Sequence, residues 1–377
     1  MNSKKKKWGT NIITISYVMI GVVCGILIMR YMDMTGVMDR SLPMTIVTFL
    51  LMLVAMYVAI MIELIIHESG HLIFGLLTGY KFSSFRIFQF MWVKENDRIR
   101  FRKMSLAGTG GQCLMSPPDP VDGKYPTLLY NLGGVIMNIL TGILFLGLSF
   151  LCGNALFLKT FFLFLTVSGL LMALQNGLPL QTEMAPNDGS NAREVARDPE
   201  ALRAFWVQMK VNDQISRGIR TKDMPEEWFA FPTDEAMKSS LVASLGVFAC
   251  NRLMDVHHFA EADEKMKHLL SIESGLVGLH RGALVCDRMF VELVVNGDPE
   301  AARLLMTKEQ ETFMKAMVTN PSVIRTEYVV ALLDEKDSEK AQKILERFEL
   351  AGKKYPYPSE IEAERELIEM AKEKAAE

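Results

Sequence analysis

Four long apolar runs constrain the fold of this chain more than any other feature of its sequence. They lie at about residues 11–29, 44–66, 126–152 and 155–177. A helix needs roughly 20 apolar residues to cross the hydrocarbon core of a bilayer, where its backbone polar groups must be satisfied internally. The second run continues with a helical pattern as far as Gly79. We therefore predict four transmembrane helices.

The N-terminal segment "MNSKKKKWGT" directly precedes the first apolar run. A basic segment in this place is also typical of a cleavable signal peptide. The run is long enough to span a membrane, however, and no small-x-small cleavage site follows it. We therefore expect the first helix to be retained.

The distribution of lysine and arginine predicts the orientation of the helices, because cytoplasmic loops are enriched in these residues. The N-terminus carries four lysines, Lys4 to Lys7, whereas the loop 30–43 holds only Arg30 and Arg40. The segment after the second helix is strongly basic, with Lys81, Arg86, Lys94, Arg98, Arg100, Arg102 and Lys103. Both signals predict a multi-pass protein of the cell membrane whose N-terminus and C-terminal part are cytoplasmic.

The sequence after residue 190 changes to amphipathic helical patterns with charged turns. Ala262, Ala302 and Ala341 recur at about 40 residues, each followed by apolar residues. This spacing resembles degenerate tetratricopeptide-like helix pairs, and a plain helical bundle is the alternative. Such arrays bind partners along one face, so we expect a cytoplasmic protein partner for residues 191–377. The net charge of −3, with no basic patch among aromatics, predicts no nucleic-acid partner.

The predicted fold is an α-helical polytopic membrane protein with an all-α cytoplasmic domain. Its domains are an N-terminal segment with the first helix and outer loop, a membrane core, and the helical domain, at 1–43, 44–190 and 191–377. Within the core, residues 82–104 carry aromatic and β-branched residues around Glu95-Asn96-Asp97, which predicts a membrane-associated β-hairpin. The stretch "SLAGTGGQCLMSPPDP" that follows lacks the GK[ST] of a phosphate loop, and we interpret it as a flexible loop.

The segment "ELIIHESGH" places ionisable side chains at the end of the second apolar run. His67 and His71 are four residues apart and share a face of a helix, where both imidazoles can bind one metal ion. Glu68 lies beside them and can take a proton from a metal-bound water, so HExxH predicts a zinc site with its own base. Ionisable residues within a membrane helix are costly and usually functional.

Two imidazoles are an incomplete ligand set, because catalytic zinc usually has three protein ligands and a water. The carboxylates available near the membrane are Asp188 and Glu183, in the interrupted segment after the fourth helix. Glu63 shares the helix face of His67; it either accepts an imidazole N–H or faces a polar cavity or the basic hairpin. The other histidines, His257, His258, His268 and His280, lie in the C-terminal part, where we expect them on helix surfaces.

Three motifs together resemble the site-2 protease family of intramembrane zinc metallopeptidases, peptidase family M50. They are "HESGH" on one membrane helix, "NLGGVIMN" on the next, and "NGLP" followed by "NDG" at the end of the last. The resemblance covers roughly residues 50–190. It implies that His67, His71 and Asp188 are zinc ligands and that Glu68 is the base.

The resemblance also matches the small-residue stretch of the family to Gly133, Gly134 and Asn138, and in the family this asparagine helps to hold the substrate near the metal. Asn176 and Pro179 match the start of the last motif. The family usually has proline in place of Gly134 and a shorter spacer before the Asp-Gly pair. The motifs leave no room for a PDZ domain, and the helical array lies outside the core family pattern.

The expected function is zinc-dependent hydrolysis of peptide bonds within the bilayer, with products released toward the cytoplasm, as in regulated intramembrane proteolysis. Glu68 is the expected base, and Asn138 the expected hydrogen-bond donor to the oxyanion. The expected substrate is a single-pass transmembrane protein or peptide. The alternative is a catalytically silent, zinc-binding membrane scaffold. A metal transporter is disfavoured, because it needs polar residues through the whole membrane depth.

Overall fold

The computed structural model describes most of the chain, namely residues 2–95, 98–104, 110–180 and 186–377. The residues form two compact units, each assembled from two segments of sequence. Unit 1 consists of Met1–Tyr80 and Tyr125–Arg197. Unit 2 consists of Lys81–Lys124 and Asp198–Glu377.

Unit 1 contains the four predicted apolar helices. Its α-helices are α1 (Asn2–Met34), α2 (Leu42–Leu77), the short α3 (Leu128–Asn131), α4 (Gly133–Leu151), α5 (Leu156–Gly177) and α6 (Asp188–Val195). The first apolar run continues as helix to Met34, beyond its predicted end. The third run differs more from its prediction, because its helix starts at Gly133 and a separate turn of helix precedes it.

The four long helices of unit 1 expose most of their apolar side chains. Only 22%, 22%, 28% and 39% of their most apolar windows are buried, for α1, α2, α4 and α5 respectively. Their contacts converge on a small core in which Cys24, Met52 and Ala59 of α1 and α2 meet Phe164 of α5. An apolar surface of this extent is unfavourable in water and is matched by lipid. These helices therefore have both the length and the surface of membrane-spanning segments.

Unit 2 contains a four-stranded antiparallel sheet in place of the predicted hairpin. Its strands are β1 (Lys81–Ile87), β2 (Phe90–Glu95), β3 (Arg98–Lys103) and β4 (Gly111–Ser116), in the order β3-β2-β1-β4. The predicted hairpin corresponds to β2 and β3, which pair from Phe90 with Lys103 to Glu95 with Arg98. The predicted turn residues Asn96 and Asp97 lie outside the described residues.

The prediction of a flexible loop after the hairpin is wrong for Gly111–Ser116, which pairs with β1. Cys113 and Met115 alternate toward the buried side of the sheet, a pattern that the surrounding glycines and prolines obscured in the sequence. The sheet is bound to the first helix of the C-terminal segment. Ser83 Oγ donates to Asp213 Oδ1 at 2.6 Å, and Trp206 Nε1 donates to the Pro118 carbonyl at 3.0 Å.

The C-terminal segment of unit 2 is all α-helical apart from short 3₁₀ and π turns. Its α-helices are α7 (Pro199–Ser216), α8 (Ser240–Asp255), α9 (Phe259–Ser271), α10 (Gly278–Phe290), α11 (Pro299–Leu305), α12 (Lys308–Ala316), α13 (Pro321–Val329), α14 (Ser338–Gly352) and α15 (Pro358–Ala376). The three recurring alanines are buried in α9, α11 and α14. The tetratricopeptide-like assignment stays a prediction.

Candidate metal centre

Helix α2 brings the two histidines of the HExxH motif to one buried face. His67 and His71 are one helical turn apart, and their Nε2 atoms lie 3.3 Å from each other. Both imidazoles are buried, and the helix around them is otherwise mostly apolar. The spacing of the motif therefore places the two imidazoles on one shared face, as the sequence predicted.

Asp188 joins the two histidines from the N-terminus of α6. The preceding residue, Asn187, caps that helix by accepting from the Ser190 backbone N–H at 3.0 Å. Its side-chain amide also donates to the carbonyls of Gln175 and Leu178 at 2.6 Å each, which ties α6 to the end of α5. This tie holds the start of α6, and with it Asp188, against the end of α5.

The three donor atoms have the mutual distances of zinc ligands. Asp188 Oδ2 lies 3.0 Å from Nε2 of His67 and 3.3 Å from Nε2 of His71. Tetrahedral coordination with bonds of about 2.0–2.1 Å separates ligand atoms by roughly 3.3 Å. His67, His71 and Asp188 therefore form a group that fits one zinc ion in both spacing and chemistry.

The hydrogen bonds of the two imidazoles leave their lone pairs directed at this point. His71 Nδ1 donates to the Tyr130 backbone carbonyl at 2.7 Å, and His67 Nδ1 donates to Asn138 Oδ1 at 2.6 Å. A neutral imidazole that donates from Nδ1 presents an acceptor at Nε2. Two such acceptors and a carboxylate oxygen repel one another unless a cation lies between them.

The charge of Asp188 is consistent with a ligand role. Its Oδ2 atom faces Nε2 of both imidazoles, and a side-chain carboxyl must be ionised to bind a metal. Glu68, the predicted base, is buried on α2 and close enough for its charge to act on His71.

The structure gives Asn138 a different environment from the one expected for an oxyanion donor. Its side chain is fully buried, and Nδ2 donates to Glu63 Oε2 at 2.7 Å and to the Glu63 carbonyl at 3.1 Å. Both N–H groups are thus occupied, and Oδ1 faces His67. In this arrangement the side chain of Asn138 connects Glu63 to His67, and the expected oxyanion contact stays a prediction.

Glycines allow the close approach of α2 and α4 at the centre. A Cβ atom on Gly70 would lie 2.3 Å from the Gly133 carbonyl oxygen, so the two backbones are in direct contact there. A Cβ atom on Gly134 would lie 2.6 Å from ring atoms of His67. The small-residue stretch therefore makes room for the His67 imidazole.

The remaining predicted residues lie in separate places. Asn176 donates to the Met172 carbonyl of its own helix at 3.1 Å, and Glu183 lies outside the described residues. His257 and His268 are surface residues that face carboxylates of unit 2. His280 corrects the surface expectation, because it is partly buried and burial lowers its pKa to about 4.

Sequence reasoning missed two groups that position the ligands. The bond from His71 to Tyr130 could not be recognised from residue type, because the acceptor is the backbone carbonyl of Tyr130. Asn187 does have a signal, since asparagine before Asp-Gly at the start of a helix is a favoured N-cap. Its ties to the carbonyls of α5 follow from the fold alone.

The apolar helices and the His-His-Asp group define a class of membrane protein with a metallopeptidase-like centre. The chain belongs to peptidase family M50, the site-2 protease family, because the family profile matches residues 55–352. The match extends well beyond residues 50–190 and includes the sheet and most of the C-terminal helices. No curated protein and no solved structure matched the chain.

Proposed function

We propose that this chain is an intramembrane zinc metalloprotease that hydrolyses peptide bonds of membrane-spanning substrates. One observation carries the proposal. Nε2 of His67, Nε2 of His71 and Oδ2 of Asp188 lie within 3.3 Å of one another, and both histidines belong to a helix with the length and composition of a membrane span. Family membership supports it, since the M50 family implies a membrane metallopeptidase.

His67, His71 and Asp188 are the proposed ligands, and Glu68 is the proposed base. Zinc bound there supplies a Lewis acid that polarises a carbonyl and lowers the pKa of a water. Glu68 takes a proton from the attacking water and passes it to the leaving amine. Asn138 positions His67, and its occupied N–H groups make it a support for the ligand instead of an oxyanion donor.

The proposed substrate is a single-pass transmembrane protein or peptide, cleaved near the cytoplasmic face of the bilayer. The lysines before α1 and the basic segment after α2 support this orientation. Products then leave toward the cytoplasm, as in regulated intramembrane proteolysis. The C-terminal helices, proposed as a tetratricopeptide-like cytoplasmic array, bind a protein partner.

The proposal is tested on the full chain purified in detergent, with a panel of epitope-tagged single-pass proteins as substrates. Glu68→Gln is expected to lower cleavage by about 10²–10⁴-fold while zinc content stays at the wild-type level, because only the base is removed. Asp188→Asn is expected to lose both zinc and activity, because a neutral amide is a poor zinc ligand.

Asp39→Asn is the matched control, since it removes an exposed carboxylate of the same unit and is expected to change neither zinc content nor cleavage. Zinc binding with no cleavage by the wild type, and with no difference for Glu68→Gln, favours the scaffold. A wild type without bound zinc contradicts the proposal.

A further inference from the structure

Glu63 is a carboxylate buried within a membrane helix, one turn before His67. Its side chain is 0% exposed. Among the described residues no lysine or arginine lies in ion-pair contact with it, and its Oε1 atom has no hydrogen-bond partner. A buried carboxyl that is only half satisfied costs free energy, so its presence is not explained by stability.

The contacts of Glu63 fix the orientation of the Asn138 side-chain amide. A carboxylate and a carbonyl only accept hydrogen bonds, so the amide must turn its nitrogen toward Glu63 Oε2 and the Glu63 carbonyl. Its oxygen is thereby directed at His67 Nδ1, 2.6 Å away. With the opposite orientation of the amide, the N–H groups would face the imidazole N–H.

Helix α5 closes the space around the Glu63 carboxylate. A Cβ atom on Gly169 would lie 2.6 Å from Glu63 Oε2 and 3.3 Å from the Asn138 carbonyl oxygen. Glycine at this position lets α5 pack directly against the carboxylate, and that packing leaves Glu63 little freedom to turn away from Asn138.

The two ligand histidines are therefore held by different means. His71 donates to a backbone carbonyl, which the fold of α3 keeps in place. His67 donates to a side-chain amide, whose orientation depends on a second side chain. The orientation of His67 can therefore be lost by changing Glu63, which is hydrogen-bonded to Asn138.

We propose that Glu63 is a positioning residue of the metal centre, acting through Asn138 to keep the proton of His67 on Nδ1 and its Nε2 lone pair toward the metal. This role rests on the proposed zinc function, and it concerns metal binding before any cleavage. Removing a residue that orients a ligand histidine typically costs 10–100-fold in metal affinity.

The test measures zinc affinity of the full chain in detergent by chelator competition, together with the absorption spectrum of the Co²⁺-substituted protein. Glu63→Ala is expected to weaken zinc binding about 10–100-fold and to change the Co²⁺ spectrum. Glu63→Gln is expected to retain most of the affinity, because its amide oxygen can still accept from Asn138 Nδ2. Ser149→Ala, a buried polar change on the helix of Asn138, is expected to have no effect.

A double-mutant cycle separates this role from general packing. If Glu63 acts through Asn138, Glu63→Ala adds no further loss to Asn138→Ala. Gly169→Ala displaces the same carboxylate and serves if Glu63→Ala does not fold; it is expected to weaken zinc binding as well. Additive losses, or wild-type zinc affinity and Co²⁺ spectrum in Glu63→Ala and Gly169→Ala, overturn the role of Glu63. A wild type without zinc instead overturns the proposed function.

Discussion

Both units bury charged groups, but they balance the charge in different ways. In unit 2, Arg325 is fully buried and bonds two carboxylates, Asp287 and Glu364, the latter at 2.8 Å. In unit 1, the carboxylate of Asp188 meets two imidazole nitrogens, and no lysine or arginine of the described residues contacts that carboxylate. The first cluster contains its own counter-charge, whereas the second directs acceptors at one point.

The difference separates a self-contained structural cluster from a candidate binding site. A buried network in which each charge has an opposite charge within hydrogen-bond distance is complete without a ligand. A cluster of lone pairs becomes favourable only when a cation joins it, so its conformation is maintained for binding. Burial alone does not distinguish the two cases, and the sign of the charges does.

The largest expected effect comes from breaking the balanced cluster. Arg325→Met leaves Asp287 and Glu364 buried without a cation and is expected to destabilise unit 2 by about 3–5 kcal/mol. Thermal unfolding of the purified chain, followed with hydrogen exchange of α13 and α15, measures the loss. Zinc affinity is expected to stay at the wild-type level.

Arg365→Met is the control, because Arg365 forms an exposed ion pair with Glu349 that contributes about 0–1 kcal/mol. The comparison fails if the two arginine variants lose equal stability, or if Arg325→Met releases zinc.

A smaller effect is expected from displacing His67 within the His67, His71 and Asp188 group without removing any charged residue. Gly134→Ala places a methyl group 2.6 Å from ring atoms of His67 and is expected to weaken zinc binding about 10–100-fold, or ~1.4–2.8 kcal/mol. Gly147 is on the same helix, and a Cβ atom there would meet no atom within 4 Å. Gly147→Ala is therefore expected to leave zinc affinity unchanged. Chelator competition on both variants decides whether His67 is held as tightly as the geometry requires.

Much of the fold was predictable because lipid imposes a simple rule on sequence. A spanning helix must be apolar over its length, so the four helices of unit 1 are visible as runs of residues. The HExxH spacing likewise follows from the helical repeat, which fixes His67 and His71 on one face. These features depend on local chain geometry, and local geometry can be inferred from one sequence.

The features that escaped prediction depend on contacts between distant residues. Strand β4 is recognised through its pairing with β1, and the Tyr130 carbonyl matters because α3 turns it toward His71. The hydrogen bonds of Asn138 could not be foreseen for the same reason, since its amide orientation is determined by Glu63 on another helix. Backbone acceptors and amide orientations have no composition signal, so only packing reveals them.

Glu360 tests how completely the buried carboxylates of unit 2 are paired with positive charges. Its carboxyl accepts from the Tyr355 hydroxyl at 2.8 Å, but no lysine or arginine of the described residues is in ion-pair contact with it. Burial raises its pKa to about 7; the Tyr355 bond opposes the rise, and the negative charge of Glu364 adds to it. Glu360 is thus expected to respond to pH near neutrality, together with Asp287, whose pKa burial raises to about 6.

The sign of the effect follows from proton binding. Between the unfolded pKa near 4.5 and the folded pKa of about 7, the folded state holds the Glu360 proton more often than the unfolded state. The free energy of unfolding is therefore expected to fall as pH rises through this window and to level off above it. Because Glu360 is only partly buried, solvent reduces the change to about 1–2 kcal/mol.

Glu360→Gln is expected to remove that part of the slope, whereas Glu362→Gln, an exposed change on the same helix, should retain it. Hydrogen exchange of α15 at pH 5 and 8, corrected for the intrinsic rate, measures the slope. An unchanged slope in Glu360→Gln would mean that nearby groups already compensate the charge of Glu360. The charges of unit 2 would then be more completely compensated than the acceptor group of unit 1.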